Sequence, residues 1–507
     1  MSTPRVVALG AWLLALLMTF GVTWWAESTL ATPGERLFDG LVLAAPQLLL
    51  GVLLIRARPW AQGLVGLGLT LGWVFVWARH EAPARGSGET PGARPDIVLI
   101  TLDTFRADHL GVVGGPVPTP ALDGLAASGA LFRNAVTTAP LTAPAHASMF
   151  TGRTSTEHGL RSNGQRVAAP TVIPQLQAAG WRTGAFLSSR VLDRQTGLCV
   201  GFERCEDRWG FIGRLSWLGL AEAALGQGAV ERRGDEVVAR ALYWLSRTSG
   251  PKLAWIHLYD AHGPYLPPPM WRPDKEAMRE ASRQFFALGR SEGSVGDWAD
   301  DLDRRHVAAQ RLLYGAEVRW VDELVGRVLR AIPPETIVIV AGDHGESLGE
   351  HEHYFNHGGN LMEPSMRVPM LLRWPGAVPP GSVSDALVSV QDVAGTLLAA
   401  AGVPTSLPGL LDARETVEQY ASGQQGRTTH GPASGAVRRG DTKVVSDAQG
   451  AVTWYDLRAD PGELSPLPLP PGWEGDAVAA RALAERPAPE LDERVRRQLR
   501  ALGYEGE

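Results

Sequence analysis

Lysine is nearly absent from this chain of 507 residues. Lys252, Lys275 and Lys443 are its only lysines, although lysine and arginine together number 48. The positive charge is therefore almost entirely arginine, and the formal net charge is −6. No stretch is basic enough to indicate a nucleic-acid partner, so we expect none.

Cysteine is scarce as well, since Cys199 and Cys205 are the only two. One pair with this spacing does not make a zinc site. It is compatible with a small disulfide-closed loop in an oxidising compartment and equally with two free thiols.

Long apolar runs are confined to the first 80 residues. They cover residues 7–24, 37–55 and 61–78, and tryptophans stand near their ends. Each run approaches the roughly 20 residues that a bilayer-spanning helix needs. We predict a membrane domain over residues 1–80 with three transmembrane helices in a lipid bilayer. The alternative is a signal peptide followed by buried helices.

The charges beside these runs predict the orientation. Arg5 precedes the first run and Arg56 and Arg58 follow the second, whereas the first loop carries Glu27 and Glu35. Arginine-rich loops stay in the cytoplasm. Three spans would then place the rest of the chain outside. We therefore expect a multi-pass protein of the cytoplasmic membrane whose catalytic domain faces the periplasm or the cell exterior.

The remaining chain reads as a tether and two further parts. Residues 81–95 are rich in Ala, Pro, Gly and Arg, which is typical of a linker. From residue 96 onward, fully apolar strand patterns alternate with helix patterns. The helix patterns include residues 120–128, which follow Thr119, residues 234–247 and residues 490–502, and residues 435–446 and 452–457 suggest a hairpin. This alternation predicts an α/β fold with a large, mostly parallel sheet flanked by helices. We assign residues 96–405 to this catalytic domain and residues 406–507 to a small C-terminal α+β subdomain.

Candidate metal ligands stand where predicted strands end. Asp103 follows a buried run, Asp343-His344 follows another, and Asp260 lies just past a third predicted strand. Ligands in α/β folds gather at the carboxyl ends of strands. Two carboxylates and an imidazole suit one divalent ion: Ca²⁺, Mn²⁺ or Zn²⁺, with Mg²⁺ also compatible. The alternative for Asp103 is a helix cap or an ion pair with Arg106.

Thr142 precedes Pro144 at a predicted helix entry. A threonine hydroxyl becomes nucleophilic when a metal lowers its pKa. Its alternative role is that of a helix N-cap.

Three histidines elsewhere in the chain are further candidates. His262 lies in a Pro/Gly loop, where it could contact a bound oxyanion or protonate a leaving group. His357 precedes two glycines and is a candidate substrate contact. His257, on the strand itself, reads more readily as a core histidine.

Several of these stretches together resemble the sulfatase family within the alkaline phosphatase superfamily. The resemblance runs from about Pro95 to Gly402. It is carried by Asp96 to Asp108, Pro140 to Arg153, His257 to Tyr265, Gly342 to Glu350, and Arg367-Val368-Pro369.

The resemblance implies a metal-dependent hydrolase of sulfate or phosphate esters with a smaller C-terminal sheet. It implies Asp103, Asp343 and His344 as metal ligands, with Thr142 at the position of the nucleophile, which also touches the metal. His262 and His357 fall at positions that contact sulfate or phosphate, and His146 stands where sulfatases carry a supporting arginine.

Thr142 departs from the sulfatase pattern, because sulfatases make a formylglycine nucleophile from Cys or Ser. The threonine resembles instead the membrane-bound phosphoethanolamine and phosphoglycerol transferases and the nucleotide phosphodiesterases of the superfamily. Three hypotheses follow: a hydrolase with a Thr nucleophile acting outside the membrane, a transferase that modifies an envelope lipid or glycan, and a binding protein without catalysis.

Overall fold

The computed structural model describes residues 94–207, 232–263, 265–277, 279, 304–422, 433–447 and 449–486. The chain separates into two compact units, and the described residues, apart from residues 246–248, belong to one of them. The predicted membrane domain over residues 1–80 and the helix predicted over residues 490–502 lie outside the described residues. Within the described ranges, no helix is both long and apolar enough to span a bilayer.

Strands and helices alternate along the chain. The strands are β1 (Ile97–Leu102), β2 (Ala130–Phe132), β3 (Ala135–Val136), β4 (Arg182–Leu187), β5 (Arg204–Glu206), β6 (Lys252–Leu258), β7 (Ile337–Gly342), β8 (Ser347–Leu348), β9 (Tyr354–Asn356), β10 (Met370–Arg373), β11 (Ser382–Ser384), β12 (Val388–Ser389), β13 (Val417–Ala421), β14 (Ser434–Arg439), β15 (Thr442–Ser446) and β16 (Val452–Asp456). The helices are α1 (Pro120–Ser128), α2 (Thr142–Thr151), α3 (Ser155–His158), α4 (Ile173–Ala178), α5 (Gly234–Arg247), α6 (Arg304–Ala331), α7 (Glu363–Met366), α8 (Asp392–Ala400) and α9 (Glu474–Ala484).

Eight strands form the main sheet in the order β11-β2-β10-β7-β1-β6-β4-β5. Five of its seven pairings are parallel, and only the two pairings of β10 are antiparallel. The predicted α/β fold with a large, mostly parallel sheet is confirmed.

The central strand β1 is buried on both faces, as its unbroken apolar sequence predicts. Ile97 and Leu99 point into one hydrophobic cluster, to which α2, α4 and α8 contribute. Val98 and Ile100 point into a second cluster, built with α1, α5 and α6. The sheet is therefore the middle of three layers. Because both of its faces are covered by helices, a site can form at the ends of its strands.

The C-terminal part carries a second, antiparallel sheet in the order β13-β14-β15-β16. Helix α9 packs on it so closely that a Cβ atom at Gly435 would lie 2.2 Å from the Ala480 carbonyl oxygen. The hairpin predicted between residues 435–446 and 452–457 is confirmed, because β15 pairs with β16. The prediction of a single strand over residues 435–446 was wrong. The chain turns at Gly440, whose φ of 54° is left-handed, and returns as β15.

A buried ion network joins the C-terminal sheet to helix α7. Lys443 and Arg438, both on the C-terminal sheet, contact Glu363 of α7 at 3.1 Å and 2.7 Å. Lys443 also pairs with Glu463. Burial raises the pKa of Glu463, whereas the cations overcome burial and lower the pKa of Glu363 to about 2. The boundaries predicted at residues 80, 95 and 405 stay predictions.

Cys199 and Cys205 form a disulfide in this structure. Of the two states that the sequence left open, the structure therefore has the oxidised one. The bond closes the loop that leads into β5 at the edge of the main sheet.

Helix α1 begins after Thr119, as its sequence predicts, but its cap comes from elsewhere. The carboxylate of Asp322 on α6 accepts the amides of Ala121 and Leu122 at 3.1 Å and 2.9 Å. Asp322 is buried, and burial raises its pKa to about 6. A side chain some 200 positions away in the sequence thus satisfies the free amides of this helix.

We expect Asp322→Ala to lower the free energy of unfolding by about 2 kcal/mol, because two helix amides lose their acceptor. The neighbouring Glu323 pairs with Arg327 and Arg330 at the surface, so Glu323→Ala should cost less than about 1 kcal/mol. Urea unfolding of both variants checks this. Equal losses would contradict the capping role of Asp322.

Candidate metal centre and active site

Two acidic strand ends lie side by side in the main sheet. β1 and β7 pair in parallel with Leu102 opposite Gly342, so that Asp103 and Asp343 leave the sheet together. The amide of Asp343 donates to the carbonyl of Leu102 at 3.2 Å and extends the pairing by one residue. Strand register therefore brings the two carboxylates to one place.

His344 completes a three-residue group with these carboxylates. One ligand atom each of Asp103, Asp343 and His344 lies within 4.8 Å of the others, and all three residues are buried. Nδ1 of His344 donates to the carbonyl of Gly345 at 3.0 Å. Its Nε2 therefore faces the carboxylates, 3.8 Å from an oxygen of each, in the tautomer that a metal-binding imidazole adopts.

The electrostatics of this group fit a cation. Oδ1 of Asp103 and Oδ2 of Asp343 are buried without a hydrogen-bond partner among the described residues. Burial raises the pKa of Asp103; burial, followed by the charge of Asp103, raises the pKa of Asp343 well above its usual value. Two buried carboxylates whose oxygens lie within 4.8 Å of each other need a divalent ion or a shared proton.

The loop around these ligands has a constrained backbone. Thr104 has a φ of 52°, and its amide donates to Oδ1 of Asp343 at 3.3 Å. The amide of His344 donates to the same oxygen at 2.7 Å. A Cβ atom at Gly345 would lie 2.0 Å from the carbonyl oxygen of Pro364, so only glycine fits there. The glycine after Asp343-His344 thus has a steric cause.

Thr142 lies against the same group. It is the first residue of α2, with Leu141 as the N-cap residue, so it does not play the N-cap role that its sequence position allowed. Its Oγ1 donates to Oδ2 of Asp103 at 3.3 Å and lies 3.3 Å from Nε2 of His344. A hydroxyl, two carboxylates and an imidazole therefore converge, as the sequence predicted.

His146, one turn along α2, lies behind Thr142. Its Nδ1 is 2.7 Å from the carbonyl oxygen of Thr142, and its Nε2 is 3.0 Å from Oγ1 of Thr101. Burial, followed by the charge of His257, lowers the pKa of His146 to about 3. The imidazole is therefore neutral and positions the backbone of the helix entry.

His262 and His357 form the other side of the site. The ring of His357 lies 4.5 Å from that of His344 and 4.9 Å from that of His262. Nδ1 of His262 donates to the carbonyl of Gly263 at 2.6 Å, and burial lowers its pKa to about 4. Burial opposes the charge of His357, but Glu346, 3.3 Å away, outweighs it and raises the pKa.

Two further residues contact the site, and the sequence did not identify their roles. Glu346 supports His357, as described above. His257 was interpreted as a core histidine, yet its Nε2 lies 3.4 Å from Oδ2 of Asp103. It is the register partner of Thr101 on β1. Only the order of the strands reveals this neighbourhood.

Asp260 was also expected at the strand ends, and the structure turns it away from the site. Its Oδ1 accepts the amide of Gly234 at the start of α5 and Nε1 of Trp320 on α6, at 3.1 Å and 2.8 Å. Burial raises its pKa to about 6. Asp260 therefore joins two helices.

Arg106, the alternative partner of Asp103, also points elsewhere. Its guanidinium pairs with Asp108 at 2.6 Å and Glu350 at 2.8 Å. Asp103 is thus left to the histidines and to Thr142.

Known proteins are similar to this chain in sequence and in fold. The profile of the family described as "Sulfatase" matches residues 95–403. An uncharacterized sulfatase of Escherichia coli (YidJ) is 27% identical over 74% of this chain and 83% of its own. A choline-sulfatase of Rhizobium meliloti is 24% identical over 79% of this chain and 87% of its own.

Solved structures give the same fold. A protein in complex with its substrate D-glucosamine-2-N,6-O-disulfate has a TM-score of 0.59 at 19% identity, over 77% of this chain and 97% of that one. A phosphonate monoester hydrolase of Agrobacterium radiobacter has a TM-score of 0.58 at 21% identity, over 77% and 94%.

We expect Ca²⁺, Mn²⁺ or Zn²⁺ to raise the melting temperature of the protein, because a cation relieves the repulsion between Asp103 and Asp343. Asp343→Asn should abolish most of this rise. Without metal, the same variant should melt at or above the wild-type temperature, because it removes a buried charge. Thermal melts with EDTA and with each ion check both signs. A metal-free variant well below wild type would contradict the repulsion.

Proposed function

The chain belongs to the sulfatase family and is an ester hydrolase, and from this premise we propose that Thr142 is its nucleophile. The proposed reaction is hydrolysis of a sulfate or phosphate ester in the presence of a divalent cation. The observation that carries the proposal is the position of Oγ1 of Thr142, 3.3 Å from both Asp103 and His344.

Asp103, Asp343, His344 and Thr142 would hold the cation. Their orphaned carboxylate oxygens and the Nε2 tautomer of His344 support this assignment. Two carboxylates balance a charge of +2, and the mixture of oxygen and nitrogen suits Mn²⁺ or Zn²⁺ as well as Ca²⁺. When bound, such an ion supplies positive charge that makes the hydroxyl more acidic and the ester centre more electrophilic.

The side chains would divide the remaining work. Oγ1 of Thr142 would give its proton to Oδ2 of Asp103 and attack the sulfur or phosphorus atom of the ester. A bond from Oγ1 to sulfur or phosphorus forms as the bond from that atom to the leaving oxygen breaks. His357, whose protonated form Glu346 favours, gives the leaving oxygen its proton. His262 contacts the equatorial oxygens. Water then cleaves the Thr142 ester and restores the hydroxyl.

His146 would act as a positioning residue. Its hydrogen bonds to the Thr142 carbonyl and to Thr101 tie the first turn of α2 to β1. The nucleophile is thereby kept at one distance from the carboxylates, as pre-organised catalysis requires.

The transferase hypothesis differs only in the second step. An alcohol of an envelope lipid or glycan would take the place of water as the acceptor of the group on Thr142. The threonine in place of a formylglycine precursor supports this second candidate. Product analysis separates the two: free sulfate or phosphate indicates hydrolysis, and a modified acceptor indicates transfer.

We expect Thr142→Ala to lower kcat about 10³-fold or more with the fold intact, because the variant lacks the hydroxyl that would form the covalent intermediate. Thr142→Ser keeps a hydroxyl and should retain measurable turnover. Thr151→Ala, in the same helix but bonded to the Ala147 carbonyl, is the control and should turn over normally. The assay compares an aryl sulfate, a phosphate monoester, a phosphate diester and a phosphonate monoester. Wild-type turnover in Thr142→Ala would refute the nucleophile.

We also propose that three spans within residues 1–80 anchor the enzyme and that its catalytic domain faces outward. The three apolar runs and the arginines beside them support this topology. Membrane fractions should therefore contain the full chain, and protease added to spheroplasts should degrade the catalytic domain. Protection of that domain in intact spheroplasts would contradict the orientation.

A further inference from the structure

The hydroxyl of Tyr314, on helix α6, bridges the loop that follows Asp103. It donates to the carbonyl of Thr104 at 2.8 Å and accepts the amide of Arg106 at 2.9 Å. A carbonyl oxygen can only accept and an amide can only donate, so the direction of both bonds is fixed. The side chain of Tyr314 is fully buried, so water does not compete for these bonds.

The backbone that this tyrosine holds is strained. Thr104 has a φ of 52°, a left-handed conformation that a β-branched residue rarely adopts. Such conformations persist only where the surroundings impose them. The side chain of Thr104 does not contribute, because its Oγ1 is buried without a hydrogen-bond partner among the described residues. The hydroxyl of Tyr314, bound to the carbonyl of this same residue, helps to impose the turn.

The turn at Thr104 affects how the two acidic side chains lie relative to each other. Asp103 is fixed to the sheet through its amide, which donates to the carbonyl of Leu258 at 2.9 Å. The amide of Thr104, next along the chain, donates to Oδ1 of Asp343 at 3.3 Å. The position of one carboxylate relative to the other therefore depends on the conformation of Thr104.

Arg106 extends the same constraint to the loop that follows Asp343. While Tyr314 binds its amide, its guanidinium donates to the carbonyl of Glu346 at 3.1 Å. Phe105, between the two residues that the tyrosine binds, belongs with Tyr314 to one hydrophobic cluster. Helix α6 thus holds one acidic loop by two hydrogen bonds and by apolar packing, and it reaches the other through Arg106.

We infer that Tyr314 is a positioning residue of the active site. By bridging the loop, its hydroxyl keeps Asp103 at the distance from Asp343 that a shared cation requires. It acts through the backbone of the loop and opposes the repulsion between the two carboxylates, which would otherwise move them apart. The inference rests on the cation site of the proposed function.

The first experiment measures cation affinity by titration calorimetry of the full chain with Zn²⁺, Mn²⁺ and Ca²⁺ in turn. Tyr314→Phe removes the hydroxyl and keeps the ring in the core. We expect the affinity for the ion that binds most tightly to fall about 10–100-fold, the loss typical when groups that orient metal ligands are changed. Wild-type affinity in this variant would overturn the inference and leave the proposed function standing. A wild-type protein that binds none of these ions would overturn the cation site and the inference with it.

Asp322→Ala is the matched control for stability. It also removes two hydrogen bonds between a side chain of α6 and backbone groups, but those groups belong to helix α1. Its cation affinity should equal that of wild type. An equal loss of affinity in both variants would show that any weakening of α6 has this effect, and it would overturn the inference.

Hydrogen exchange of the metal-free proteins gives a readout that does not depend on the cation. We expect the amides of Thr104 and Arg106 to exchange about tenfold faster in Tyr314→Phe than in wild type, because the loop opens more often. The amide of Leu122, which Asp322 accepts, should change little. Exchange that is equally faster at all three amides would indicate a general loss of stability and contradict the positioning role.

The wild-type protein decides the question even if Tyr314→Phe does not fold. Coupling between two sites is reciprocal, so a bound cation must stabilise the bridge that favours its binding. A saturating concentration of the ion that binds most tightly should therefore slow exchange of the Arg106 amide more than exchange of the Leu122 amide. Equal slowing of both amides, or none, would overturn the inference.

Discussion

The repulsion between two buried carboxylates, Asp103 and Asp343, is the constraint on which the rest of this site depends. Both are withdrawn from water at the ends of adjacent parallel strands. Such a pair is stable only when a cation lies between the two carboxylates or when they share a proton. The surrounding groups favour a positive charge over a shared proton. Amides hold one oxygen of Asp343, while the other and one oxygen of Asp103 are left without hydrogen-bond donors among the described residues.

The histidines around this pair differ in what their hydrogen bonds leave exposed. His344 directs its Nδ1 proton at the carbonyl of Gly345 and turns Nε2 toward the carboxylates, whereas Nδ1 of His257 lies 3.1 Å from the hydroxyl of Thr101. Both ring nitrogens of His146 form hydrogen bonds, one to the carbonyl of Thr142 and one to the hydroxyl of Thr101. Nδ1 of His357 lies 3.3 Å from the carboxylate of Glu346, which raises the pKa of His357 despite its burial. The hydrogen bonds of each ring thus distinguish a candidate metal ligand, a supporting residue and a candidate proton donor among chemically identical side chains.

Much of the fold was predictable because the local signals agree with the tertiary structure. The helices at residues 120–128 and 234–247 have the bounds that their sequences predicted. The apolar strand before Asp103 is buried on both faces, as expected. The C-terminal sheet was harder, because Gly440 turns a continuous β-pattern into a hairpin. In short strands, the alternation of side chains does not reveal where the chain reverses direction. The reversal here depends on the positive φ of Gly440.

The sequence by itself determined which residues could make a metal-dependent esterase: Asp103, Thr142, Asp343, His344, His262 and His357, each at an element end. Local pattern sufficed there because strand ends and helix entries are local features. Only the tertiary structure decided that His257 faces Asp103, that Asp260 and Arg106 turn away, and that Asp322 caps a distant helix. Those outcomes depend on strand order and helix packing, which bring together residues from different elements, and no periodicity along the chain records such neighbours.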